Sequence, residues 1–391
     1  MRIAILTSGI LPVPAVKGGA VENLIDFYLT YNDQFRLHDI TVYSVSDKVT
    51  RQHPALQSEV NHYKYIKVNG WWSKLRKKFY EKTHGKEYYH YTIEYFFEQA
   101  FRRIQKESYD LLLLENRPGY ALKIPQDYKA KVVYHIHNDF LNAQTKSAQE
   151  IYDRADSIIC ISDYIKSRVL SINEADHKCV TVLNGIDLKA FTHPSVSSFH
   201  RLDFGMSDND FVIVFSGRVI EQKGIRQLLM AMRELKDYPF IKLLVIGGSF
   251  YGNERADTPF IQELCELSAS VKHQIIFTGF KPYNEIPSLL TLADIAVLPS
   301  IWEEPLGLTC IEAMAMGLPT VTTNQGGIPE TVTPDCAVIL DVDNILPQRI
   351  ATTILDLYNH PEKRKAMSEA AKRRSQLFDK ERYAREFFKV I

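Results

Sequence analysis

Short, continuous runs of Val, Ile and Leu recur along this chain, apolar at every position rather than at alternate ones and too brief for helices. Such runs fit strands buried on both faces, which a parallel sheet covered by helices requires. In the first half they fall at residues 2–7, 40–45, 110–115, 131–137, 157–162 and 180–183. Helical patterns lie between several of them, at 21–31, 89–106 and 163–173. After a polar, irregular piece at 192–210 the alternation restarts, with strands expected at 211–216, 242–247, 274–278, 294–298, 319–322 and 337–340. The fold class this predicts is α/β, with two Rossmann-like, doubly wound domains and ligands at the carboxyl ends of the strands.

Length and charge agree with that division. The 391 residues, 45% of them apolar, suffice for two full cores. The 47 basic and 47 acidic side chains cancel, so no global field points to nucleic acid. The chain passes from Met1 and Arg2 straight into an apolar run of strand length, without the features of a signal peptide. No run nears the roughly 18 apolar residues of a membrane span. Five scattered cysteines lacking CxxC spacing suit reduced thiols without structural zinc, and a cytoplasmic setting is expected.

The stretch Pro299 to Met314 holds the densest chemistry. A strand end runs through Ser300 and Glu304 into a helix expected at 306–316 and stopped by Gly317. Amides of Gly307, Leu308 and Thr309 fall in its first turn, which favours a phosphate. Glu312 follows Glu304 by eight residues, close to two turns at about 3.6 residues each, so both can face one ligand. A helix with a solvated Glu near each end fits the same pattern. Arg218 and Lys223 also sit where the strand at 211–216 ends; taken separately such cations are usually only solvated, but in register with the acidic segment they favour a site for an anionic ligand.

These motifs together, in this order, resemble family-4 glycosyltransferases, retaining enzymes of the two-domain GT-B fold. The resemblance implies an acceptor-binding domain at 1–187, braced by a last helix at 380–391, a nucleotide-sugar domain at 188–379, and a cleft between them. It implies that Arg218 and Lys223 hold the donor diphosphate in place of a metal, that Glu304 holds sugar hydroxyls and that Glu312 holds the ribose. Glu304 and Arg218 are expected to face solvent in that cleft. Phe280 and Lys281 would meet the nucleotide base, and Gly247, Gly326 and Gly327 would let backbone approach the donor. Gly18 and Gly19 match the family's loop at the first helix, and His137 its strand-end histidine against the transferred sugar. Asn138 intervenes before Asp139, so Asp139 takes no role.

Alternation sends His135 and His137 to one face. A metal is not expected there, since no Cys, Asp or Glu at ligand spacing accompanies them in the sequence. The expected reaction moves a hexose or N-acetylhexosamine from a nucleoside-diphosphate sugar, UDP-linked before GDP-linked, to a glycan, lipid-linked or other hydroxyl acceptor, with no cofactor. A nucleotide-sugar epimerase of the same architecture and a non-catalytic nucleotide-sugar binding protein are the alternatives. One further feature concerns the acceptor: residues 60–90 carry eight Lys or Arg against two Glu, with Trp71, Trp72, Leu75, Phe79 and Tyr80 among them. That segment reads as a solvated helix with its tryptophans on the sheet, as a peripheral dock on an anionic inner membrane face, or as a direct binding site for an anionic acceptor.

Overall fold

In the computed structural model, which describes residues 1–68, 91–175, 177–192, 199–248 and 259–391, the continuous apolar runs are strands of two parallel sheets. The first contains β1 (Arg2–Leu6), β2 (Asp39–Val45), β3 (Asn61–Ile66), β4 (Leu111–Glu115), β5 (Lys131–Ile136), β6 (Ser157–Cys160) and β7 (Cys179–Thr181), in the order β3-β2-β1-β4-β5-β6-β7. The second contains β8 (Phe211–Ser216), β9 (Ile241–Ile246), β10 (Ile275–Gly279), β11 (Ile295–Leu298), β12 (Thr320–Thr323) and β13 (Ala337–Leu340), in the order β10-β9-β8-β11-β12-β13. Each order reverses once, between β1 and β4 and between β8 and β11, and those reversals are the switch points where α/β sheets receive ligands.

The chain forms two compact units, Met1–Gly185 with Lys380–Ile391, and Ile186–Asp379. In the first, Ile3, Ile5, Val42 and Leu113 pack beneath Leu24, Ile25 and Tyr28 of the Ala20–Phe35 helix, and Phe387 of the Lys380–Val390 helix joins the same core. In the second, Ile213, Phe215, Leu243 and Val245 pack against Leu228, Leu229 and Met232 of the Ile225–Glu234 helix. Each such aliphatic or aromatic side chain contributes about 1.5–3 kcal/mol on burial.

Sequence reading passed over β3. Its segment, Asn61-His62-Tyr63-Lys64-Tyr65-Ile66, is polar and aromatic because, among the described residues, it lies at the sheet edge and pairs with β2 alone. This corrects the reading of 60–90 as one basic segment: Lys64 belongs to a strand, pairs with Glu107 and lies over the Tyr43 ring. Trp71, Trp72 and the cations from Lys74 to Lys86 lie outside the described residues. Among the described residues no helix is long and apolar enough to cross a membrane.

Candidate active site

In the second unit the predicted residues converge at the β8/β11 switch point. Gly217 and an exposed Arg218 follow β8; Pro299 and Ser300 follow β11. Backbone crosses between the two strands, the Ile301 N–H donating to the Gln222 carbonyl at 2.9 Å. Gly224 has φ +70°, and a Cβ built there would fall 1.8 Å from the Pro299 carbonyl oxygen, so the turn closes only with glycine. That closure sets Lys223 Nζ 2.5 Å from Glu304 Oε1, with Ser300 Oγ 2.7 Å from the same oxygen.

Gly224→Ala therefore tests how the cation is placed. A side chain in left-handed backbone costs about 1–3 kcal/mol, and the overlap with Pro299 adds to it. A lower melting temperature and reduced activity are expected; an unchanged melting curve would show that this turn does not hold Lys223.

Glu304 and Glu312 are only 6% and 7% exposed, which corrects the expectation that Glu304 faces solvent like Arg218. A carboxylate so enclosed requires donors, and Lys223 and Ser300 supply them. The Leu308–Ala315 helix begins after Gly307, and its first backbone bond runs from the Cys310 N–H to the Gly307 carbonyl at 3.0 Å. The Gly307, Leu308 and Thr309 amides thus precede the helical ladder. Ser216, Lys223, Ser300, Glu304, Gly307 and Thr309 line one small cavity.

Glu312 leads to a residue sequence reasoning missed. The Tyr283 hydroxyl, in the loop after β10, donates to Glu312 Oε1 at 2.9 Å. Burial pushes the Glu312 carboxyl up to about 7, against the lowering pull of Tyr283 and of the Lys223 cation. Lys223 thus acts on both acidic residues.

The glycine pairs have partners in the protein itself. A Cβ at Gly326 would lie 2.2 Å from the Glu304 carbonyl oxygen, one at Gly327 would lie 2.5 Å from that of Pro305, and the Gly327 N–H donates to Glu304 O at 2.7 Å. The close approach expected toward a donor is here made to the acidic loop, which it seats. Gly247 likewise lies against the Gly217 carbonyl. Phe280 is 38% exposed, whereas Lys281 lies 5.4 Å over the Phe199 ring and 3.9 Å from Glu285, a cation already engaged.

In the first unit, Gly18 and Gly19 lead with positive φ into the Ala20–Phe35 helix, and Lys17 pairs with Asp47 at 2.5 Å. Beneath that loop Glu22 is buried, and desolvation, with Glu115 adding to it, lifts its carboxyl to about 7. His137 follows β5, its backbone N–H donating to Asn116 Oδ1 at 3.1 Å. No acid stands at ligand spacing beside the two histidines in the sequence, but the fold brings one to them: Glu115, fully buried at the end of β4, lies 3.2 Å from His135 Nδ1 and 2.9 Å from His137 Nε2. The three groups place donor atoms within 4.8 Å of one another, a spacing a metal ion could use. Asp139 is held by Arg168 and Asn142, each at 2.8 Å.

Comparison with known proteins follows the same division. Residues 198–374 match the family "Glycosyl transferases group 1", and residues 36–190 match "Glycosyltransferase Family 4". The putative glycosyltransferase YtcC of Bacillus subtilis strain 168 is 28% identical over 373 residues, covering 92% of this chain and 81% of its own. Spore coat protein SA of the same organism is 28% identical over 391 residues, covering 96% and 95%. The crystal structure of Anabaena HepE in complex with UDP and glucose superposes with a TM-score of 0.74 at 19% identity, covering 100% of this chain and 98% of that one.

Proposed function

Since this chain is a family-4 glycosyltransferase of the GT-B fold, we propose that it transfers a sugar from a UDP-sugar to a hydroxyl acceptor, with retention of anomeric configuration and without a metal. The observation that carries this reading is the cluster at the β8/β11 switch point: Lys223 clamped to Glu304, exposed Arg218 near it in sequence, and Gly307 and Thr309 of a helix start lining one cavity with Lys223 and Glu304. Two cations and three backbone N–H groups are what a departing diphosphate needs as charge develops on it.

The roles follow from position. Arg218 offers a planar fork to two phosphate oxygens, and Lys223 a point charge. Both side-chain contacts of Glu304 among the described residues fall on Oε1, so Oε2 is the oxygen proposed to take a sugar hydroxyl. Glu312, oriented by Tyr283, accepts from the ribose. Phe280 offers a face to the uracil, and HepE, whose solved complex contains UDP and glucose, supports the choice of that nucleotide. Gly18, Gly19 and His137 serve the acceptor and the transferred sugar. The acceptor hydroxyl attacks from the side the diphosphate leaves, the new C–O bond forms as the old one breaks, and a phosphate oxygen takes the proton. We place the protein in the cytoplasm, with a glycan or lipid-linked acceptor. The family matches are to glycosyltransferases, which favours transfer over epimerisation or binding alone.

Thermal shift with UDP, GDP and ADP, alone and as sugar conjugates, tests the donor. Binding at a hundred times Kd adds about 2.7 kcal/mol to stability, so a clear upward shift is expected with UDP and its conjugates. Slow hydrolysis of the preferred conjugate should persist in excess chelator. Hydrolysis lost to chelator and restored by magnesium or manganese would overturn the metal-free assignment.

A further inference from the structure

The first unit contains a buried polar cluster that no step above explains. Glu115 ends the run Leu111-Leu112-Leu113-Leu114 and is 0% exposed; a carboxylate in such a place persists only if donors surround it. Three do. The Tyr28 hydroxyl donates to Oε1 at 2.8 Å, His135 Nδ1 lies 3.2 Å from Oε1, and His137 Nε2 lies 2.9 Å from Oε2. Burial pushes the Glu115 carboxyl up, but the charge and hydrogen bond of His135, and then those of His137, outweigh it and hold the carboxyl well below the usual range.

An ionised carboxylate only accepts, so each ring nitrogen facing it carries a hydrogen. Burial, and then the neighbouring His135, bring the His137 imidazole down to about 4, against the pull of Glu115; it is neutral at physiological pH. His137 is then protonated at Nε2 and bare at Nδ1. That Nδ1 is buried with no hydrogen-bond partner among the described residues, as is His135 Nε2. The two differ in setting. His135 is 0% exposed and faces the Phe387 and Tyr383 rings at 5.3 and 6.4 Å, whereas His137 stands just past the end of β5 with 4% exposure.

We propose that Glu115 is a positioning residue: it fixes His137 in the neutral Nε2–H tautomer so that Nδ1 presents a lone pair to a substrate hydroxyl. The substrate half of this rests on the reaction proposed above; the tautomer half does not. A metal ion at the same three atoms fits less well. It would need the bare faces of His135 Nδ1 and His137 Nε2, forcing hydrogens onto the far nitrogens, where both would be buried donors lacking acceptors. Tyr28 also already donates to the oxygen the metal would share.

Long-range proton–nitrogen correlation on protein labelled with ¹⁵N-histidine, assigned against His137→Gln, reads the tautomer directly. Expected for the wild type is an Nε2–H, bare-Nδ1 pattern at His137, unchanged from pH 6 to 8, with no stoichiometric metal by elemental analysis. An Nδ1–H tautomer, an imidazolium at pH 7, or one equivalent of bound metal would each overturn the proposal. Glu115→Gln supplies the second arm, because a carboxamide offers one acceptor and one donor and cannot receive both rings. Its His137 signal should move toward the Nδ1–H form, and transfer should fall about tenfold or more in kcat, with a smaller change in donor KM. A moved tautomer with unaltered transfer would overturn the positioning role. If Glu115→Gln does not fold, the wild-type spectrum still decides the tautomer, and absence of transfer in the wild type would count against the reaction rather than against Glu115.

Discussion

Arg218→Ala is expected to cut transfer by about a hundredfold or more, the loss typical of removing one oriented charge stabiliser, while leaving the melting temperature unchanged. The second half of that statement comes from the structure. Arg218 is exposed, and among the described residues it has no ion-pair partner, so truncation breaks nothing the fold uses. Its position is fixed by the end of β8 and by the Gly217 turn rather than by its own contacts. Lys223 and Glu304 make poorer probes, since removing Lys223 leaves a buried carboxylate without its cation and removing Glu304 frees a half-buried lysine from the contact that places it. Rates of UDP release with and without acceptor, beside a melting curve, decide it. Wild-type turnover by a folded Arg218→Ala protein would remove the guanidinium from the proposed diphosphate site.

The contrast among these three residues shows what the sequence could carry. Runs such as Val212 to Phe215 and Leu112 to Leu114 announce strands because parallel sheets bury both faces, and there local pattern and tertiary environment say the same thing. β3 escaped because an edge strand need not be apolar. Arg218 and Lys223 could be read as cations at a strand end, but not that one is exposed and the other clamped, since the clamp depends on Gly224 meeting Pro299 across 75 residues of chain. Glu115 was invisible for the same reason. The parallel register sets Glu115 beside His135, joining a carboxylate to histidines 20 and 22 residues later, a spacing no ligand motif describes. Tyr283 and Glu312 meet in the same non-local way. Gly326 and Gly327 announced a close approach, and one such approach is to the backbone of the acidic loop. The pattern in a strand or helix is local and legible, whereas the pairing of side chains at adjacent strand ends is set by sheet order.

Phe387→Ala should produce the largest loss of stability, about 3–5 kcal/mol for a buried aromatic. The C-terminal helix presents Tyr383, Ala384 and Phe387 on one face, at the spacing of a single turn, and all three are at most 2% exposed. Phe387 stacks on Tyr28 with ring centroids 4.3 Å apart and planes 6° from parallel, a geometry that adds about 0.5–1.5 kcal/mol to the area term. Tyr28 in turn donates to Glu115, so the cavity left by Phe387 would open beside a charged network as well as beside Ile25 and Leu29. The unfolding transition that carries the first unit, followed by urea titration, should shift to lower denaturant without a change in slope. Arg385→Ala on the exposed face of the same helix is the control: its salt bridge to Glu386 lies at the surface and should change stability by no more than about 0.5 kcal/mol. Equal effects from the two substitutions, or a loss below about 1 kcal/mol at Phe387, would mean that the last helix is not part of the first unit's core.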